Sequence, residues 1–232
     1  MAGRPRSFRR RFAEWKRDLF AVRNDAESNR FWAYVHANQP SFREAVAADA
    51  RVTAARRGER HDYRSSLDLV VQVVRLMLAT EAFFAQVCYR AKVACRRRQI
   101  PFLPVLLDRL SVMSAAVHIA DTVIVGPGMY IAHGQVVLSG MTRIGRDSYF
   151  SPWSGLGLVS GNVVGPTVGD HLMLGTGSRI LGPVTIGHNV TIGANSLVLH
   201  DVPDDATAIG NPARPLTRNA TEVGAAGGPG TA

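Results

Sequence analysis

The chain of 232 residues can bury a sizeable core, and with 46% hydrophobic and 19% charged residues its composition excludes a disordered or fibrous protein. The formal net charge of +9 comes mostly from the first hundred residues, where Arg9 to Arg11, Arg56 to Arg57 and Arg96 to Arg98 are concentrated. No zinc-finger or RNA-recognition motif accompanies it, so the charge reads as solvated helix faces and not as a nucleic-acid footprint.

In chain order, residues 1–10 are expected to be a mobile arm, and Phe12-Ala-Glu-Trp-Lys-Arg-Asp behind them is too charged for a signal-peptide core. From Arg11 to about Ala37 the spacing of Phe12, Trp15, Leu19, Phe20 and Val22 predicts a helix that breaks near Asn24-Asp25 and resumes through Phe31, Trp32 and Val35. Pro40-Ser41 opens a second helix to about Arg57, stopped by Gly58. Ser65-Ser66 caps a long helix reaching Arg98, in which Asp68, Gln72, Arg75, Glu81 and Gln86 argue for burial or subunit packing over a membrane span. Cys88 and Cys95 lie on it, match no disulfide or metal framework, and suggest a reducing, cytoplasmic setting. Pro101 and Pro104 precede a short helix to about Met113, which completes a helical domain over 1–114.

Beyond residue 115 the period changes. Val168, Leu174, Ile180, Ile186, Ile192 and Val198 return an aliphatic side chain every sixth residue, and the fourth residue after each (Leu172, Ser178, Val184, Val190, Ser196, Val202) is small or apolar. Neither a helix nor a half-buried strand has that spacing; a parallel β-helix does, each six being a short strand plus a corner. Gly169, Gly175, Gly187 and Gly193 suit corners where a Cβ would crowd the turn or φ must be positive. Counting back by sixes gives Asn162, Leu156, Phe150 and Ile144, with only Asn162 out of pattern. Ile119, Val125, Ile131 and Val137 form an earlier block offset by one, which places a one-residue insertion between Val137 and Ile144. The glycine- and serine-rich run from Trp153 to Pro166 reads as a loop leaving the coil.

The fold class is therefore α+β: an N-terminal helical region, a β-helix domain over 115–203 with about four coils, and a C-terminal cap and tail over 204–232. The helical block and the segment around Val202-Pro203 are expected to cap the two open ends. Flat outer faces favour packing against copies of the chain, and a homotrimer is the closed symmetry a three-sided prism suggests.

Val117-His118-Ile119, Ala132-His133-Gly134, the run Gly175 to Gly182, Ile192-Gly-Ala-Asn-Ser-Leu-Val-Leu199 and Gly210-Asn-Pro-Ala-Arg214 together resemble the serine O-acetyltransferase family of hexapeptide acyltransferases. The resemblance covers about residues 110–216 and is thinner before, at Asp18 to Asp25 and Tyr89-Arg90. It implies a left-handed prism, trimers or pairs of trimers, and acetyl-CoA as co-substrate in the groove between neighbouring prisms, with no metal. The family's catalytic histidine falls on His133. Chemistry suits that role: a hydroxyl is a poor nucleophile at neutral pH, and a neutral imidazole can take its proton as it attacks a thioester. Gly175, Thr176, Ala194 and Asn195 occupy positions whose main-chain groups hold the pantetheine arm. Arg179 and Arg214 supply cations suited to phosphate. Asp18 and Asp25 match the family's substrate-side acidic motif.

Three departures stand beside these matches. The aspartate that orients the family histidine corresponds to Ala116, the acidic neighbour of that histidine to Ala132, and a second histidine beside a proline to Gly165. The expected acceptor is accordingly a small hydroxylated compound other than serine, or a sugar, and His133 must be oriented by a backbone carbonyl or by Asp18, Asp25 or Glu14. His118 reads as a structural histidine, and His171, His188 and His200 as solvent-facing. The rival readings are a non-catalytic trimeric scaffold and a zinc enzyme of the carbonic-anhydrase type, which would need a third histidine near residue 138.

Overall fold

The computed structural model describes residues 26–216, which fall into two compact units divided after Asn38. Asp18, Asp25, Glu14 and the tail beyond Leu216 lie outside the described residues. The first unit contributes helix α1 (Ala26–Asn38), along which Phe31 and Trp32 meet edge to face.

The second unit opens with four helices. Helix α2 (Phe42–Arg56) begins where the Ser41 hydroxyl accepts the Glu44 N–H. Helix α3 (Ser66–Ala79) begins at Ser65 in the same way. The single long helix expected to reach Arg98 is in fact two. Thr80 adopts an extended backbone (φ −143°, ψ 125°), its hydroxyl accepts the Phe83 N–H, and α4 (Glu81–Arg97) starts there. A threonine followed by an acid is an N-terminal signal, and the apolar run passing through it hid the break. Helix α5 (Leu103–Ala115) completes the set, ending in a left-handed cap at Ala116. Among the described residues no helix is long and apolar enough to cross a membrane. Cys88 and Cys95 are buried free thiols.

A parallel β-helix of about five coils follows. Its first face stacks β1 (His118–Ile119), β4 (Val137–Leu138), β7 (Gly155–Gly157), β10 (Arg179–Leu181) and β13 (Leu197–Val198). The second stacks β2 (Ile124–Val125), β5 (Met141–Ile144), β8 (Val164–Val168) and β11 (Thr185–Ile186). The third stacks β3 (Tyr130–Ile131), β6 (Tyr149–Phe150), β9 (Met173–Leu174), β12 (Thr191–Ile192) and β14 (Thr207–Gly210), and β15 (Ala213–Leu216) pairs with β14 in the opposite direction. Both hexad sets point inward: Leu172, Leu174, Ile180, Ser178 and Val190 are completely buried.

Register locates the irregularities. His118 pairs with Val137 and Ile119 with Leu138, so the first coil carries one extra residue. The inward residue is Leu138, fully buried, while Val137 is 50% exposed. The insertion expected between Val137 and Ile144 therefore lies between Ile131 and Leu138, in the corner that holds His133. The Trp153–Pro166 run is only partly a loop. Gly155–Gly157 is a rung of the first face, and the chain leaves the coil after it to return at Val164. The crowding explanation holds for the corner glycines. Gly175 has no positive φ, but a Cβ on it would lie 2.7 Å from the Ala194 nitrogen of the next coil.

Helical side chains cap the open first coil. A β-helix end exposes main-chain groups with no rung to pair with, and a buried group left unpaired costs about 1–3 kcal/mol. Here Gln39 and Tyr89 donate to the Val123 carbonyl, Arg90 to those of Val125 and Gly126, Gln86 to Met129 and Lys92 to Ile119. Asp49 accepts from Gly128 N–H at 2.9 Å and Met129 N–H at 2.8 Å while pairing with Arg90 through both carboxylate oxygens. The Asp49–Arg90 pair is buried on both sides, at 1% and 3% exposure.

Candidate active site

The corners joining the third face of one coil to the first face of the next form a single edge of the prism, and this edge gathers nearly all the candidate residues. His133 sits on it after β3, Pro152 and Trp153 after β6, Gly175 and Thr176 after β9, and Ala194 and Asn195 after β12. Arg179 begins the rung that follows Thr176, and Arg214 lies just past the corner of the last coil, opposite Ile209. Main-chain bonds lock the corners together: Gly177 N–H donates to the Pro152 carbonyl at 3.0 Å and Asn195 N–H to that of Thr176 at 2.8 Å. Coils repeat about every 4.8 Å, so Thr176 and Asn195 stand roughly 10 and 14 Å along the edge from the His133 corner.

The extra residue of the first coil shapes that corner. Gly134 and Gln135 both have positive φ, and Gln135 N–H donates to the Ala115 carbonyl at the end of α5 (2.8 Å). His133 is exposed, its ring outside the coil, and neither ring nitrogen has a hydrogen-bond partner among the described residues.

His133 lines a cleft of about 180 Å³ between the prism and the helices, with Thr53, Arg57, Thr80, Glu81 and Tyr130. An apolar cavity of about 150 Å³ accommodates a benzene, so a small acceptor has room here. Thr53 is 2% exposed and its enclosed hydroxyl has no hydrogen-bond partner among the described residues. Glu59 anchors Arg57 (2.9 Å) and also pairs with Arg75; those cations, Arg75 foremost, hold its carboxyl below the usual range. The ring of Tyr130 lies 5.2 Å from that of Tyr149, and burial pushes its phenol up. Sequence reasoning missed Thr53, Arg57, Thr80, Glu81 and Tyr130. The only available signal for the helical ones was the Thr80-Glu81 helix start.

The three departures have structural counterparts. Ala116 is spent on the left-handed cap of α5. Ala132 is half-buried beside His133. Gly165 is buried in β8, where even a Cβ would come within 2.1 Å of the Thr142 hydroxyl, so this backbone accepts no histidine there. His118 stands 3.6 Å from Asp108 of α5, a structural pairing on another part of the first coil. His171 and His188 are more than half exposed, and His188 Nδ1 accepts the Asp170 N–H. Among the described residues no three His, Cys, Asp or Glu side chains converge to hold a metal.

Comparison with known proteins agrees with this geometry. Residues 165–200 match the family model described as bacterial transferase hexapeptide (six repeats). The chain is 36% identical over 154 residues to a serine acetyltransferase of Synechococcus elongatus, across 65% of this chain and 63% of that protein, so it spans less than two thirds of that relative's length. It is 32% identical over 148 residues to one from Helicobacter pylori, across 62% of this chain and 86% of that protein. A solved serine acetyltransferase in complex with CoA superimposes with a TM-score of 0.62 at 25% identity, over 82% of this chain and 75% of the other.

Proposed function

The chain belongs to the serine acetyltransferase family, whose members are acetyl-CoA-dependent acyltransferases, and on that premise we propose that it transfers acetyl from acetyl-CoA to the hydroxyl of a small amino-acid acceptor. The observation that carries the proposal is the shared edge: His133 and the cofactor candidates Gly175, Thr176, Ala194 and Asn195 occupy one column of corners, with Arg179 and Arg214 on the strands beside it. The imidazole of His133 takes the acceptor's proton as the hydroxyl oxygen bonds to the acetyl carbon. When the carbon–sulfur bond breaks, the same proton passes to the CoA sulfur. Attack is direct, because Cys88 and Cys95 are buried away from the edge and no serine stands in a nucleophile motif.

Main-chain groups at Gly175, Thr176, Ala194 and Asn195 hold the pantetheine arm, and Arg179 and Arg214 meet the phosphates. The groove is completed by a neighbouring prism in a homotrimer or a pair of trimers. For the acceptor, the cleft offers a cation in Arg57 and an anion in Glu81, the complement of an amino acid's carboxylate and ammonium. Serine, for which the relatives are named, fits that pattern. With the family's polar groups absent at 116, 132 and 165, its recognition falls to these two residues.

The test is release of free thiol from acetyl-CoA with L-serine, other hydroxyamino acids, sugars and amino sugars, run beside His133→Ala. Expected is acceptor-dependent release, strongest with a hydroxyamino acid, that falls about 10²- to 10⁴-fold in His133→Ala with CoA affinity kept. Turnover with sugars alone would overturn the acceptor assignment. CoA binding with no transfer to any acceptor would leave only a scaffold.

A further inference from the structure

Trp153 occupies a backbone position that a tryptophan rarely takes. Each corner of the active-site edge turns through a left-handed residue: Gln135 (φ 52°), Trp153 (φ 64°), Gly177 (φ 73°) and Asn195 (φ 56°). Glycine and asparagine enter this region at low cost, whereas a bulky side chain there is a steric outlier. Such strain persists only where the surroundings enforce it, and it gathers at ligand clamps. The side chain is 61% exposed, and among the described residues it has no ring contact or hydrogen bond.

Its location suggests such a clamp. The corner of Trp153 lies one coil from that of His133 and one from that of Thr176, between the base and the first cofactor corner. The corner residues around it, Gly134, Ser154, Gly175 and Gly177, are small, so the indole is the one large apolar group standing on this stretch of the edge. A flat, rigid ring with two rotatable bonds supplies contact area at low entropic cost.

We propose that Trp153 walls the thioester groove, packing on the arm of the CoA thioester beside its sulfur and restricting the acyl group to acetyl size. The proposal rests on the acetyl-CoA reading above, and its experiment separates the two. Trp15→Phe with Trp32→Phe leaves Trp153 as the sole indole, since the chain has three tryptophans. Its emission is then followed on titration with CoA and with adenosine 3′,5′-bisphosphate, the nucleotide portion without the arm. A saturable shift with CoA alone is expected. In parallel, Trp153→Asn, which suits the left-handed corner, is assayed with acetyl- and butyryl-CoA. The butyryl-to-acetyl ratio of kcat/KM should rise at least about tenfold, since one or two methylenes in a tight pocket discriminate on that scale.

Emission that stays put while calorimetry records CoA binding would overturn the proposal, as would an unchanged ratio in Trp153→Asn or its dissociation to monomers. A CoA-dependent shift in protein that transfers nothing would keep the contact and overturn the reaction. Failure to bind CoA at all would remove both.

Discussion

The carbonyl of Ala115 accepts the Gln135 N–H at 2.8 Å, and this bond ties the corner bearing His133 to the last turn of α5. The proposed base is thereby held by the joint between helices and prism as well as by its own coil. A Cβ added at Gly134 would come within 2.2 Å of that same carbonyl oxygen, at a φ of 104°. Gly134→Ala is expected to cost about 2 kcal/mol in urea unfolding and to lower kcat with little change in CoA affinity. A variant as stable and active as the parent would show that the corner is not pinned there.

Recognition of the acceptor by helical residues separates two Michaelis constants. Arg57→Ala removes a charged partner worth about 1.5–3 kcal/mol, so the acceptor KM should rise roughly 10- to 100-fold while that for acetyl-CoA holds. Steady-state kinetics with both substrates varied checks this, and equal effects on both constants would place Arg57 outside the acceptor subsite.

The Asp49–Arg90 pair caps the first coil from within a dry joint. Asp49→Ala strands a buried guanidinium and two main-chain N–H groups, and is expected to destabilise by about 3–5 kcal/mol. Replacing both partners with apolar residues of similar size should recover part of that loss. Chemical unfolding of the two variants distinguishes a stranded charge from a simple loss of packing.

Burial pushes the Tyr89 phenol up to about 12 from its usual value near 10. A folded-state value above the unfolded one stabilises fully below pH 10, and that contribution disappears as pH rises through 12. Two units correspond to about 3 kcal/mol at most. Thermal melts between pH 9 and 12 should therefore fall more steeply for the parent than for Tyr89→Phe, which cannot ionise. Parallel curves would exclude the phenol as the cause.

The hexads were legible because an inward position tolerates little besides an aliphatic or small residue, as Leu174 and Ile192 illustrate. The extra residue of the first coil was misplaced for a specific reason. Val137 is apolar and one step out of phase, so it imitates the inward position that Leu138 fills. The edge carrying His133, Thr176 and Asn195 was only half visible. Motif matching found its members, but that they share one corner column follows from strand order. Thr53 and Arg57 could not be read at all, and Glu81 only as part of a helix start, because helices far apart in sequence reach the cleft only through the joint beneath them. Asp18 and Asp25 fall outside the described residues, so the acidic motif keeps the standing of a sequence expectation.

Strand β15 runs backwards along β14 and covers the last rung of the third face. A solenoid is otherwise a self-templating stack, able to accept another chain's coil wherever its own sequence stops. Reversal of polarity acts as a full stop on this face: the edge that β15 presents runs the wrong way to continue the parallel stack.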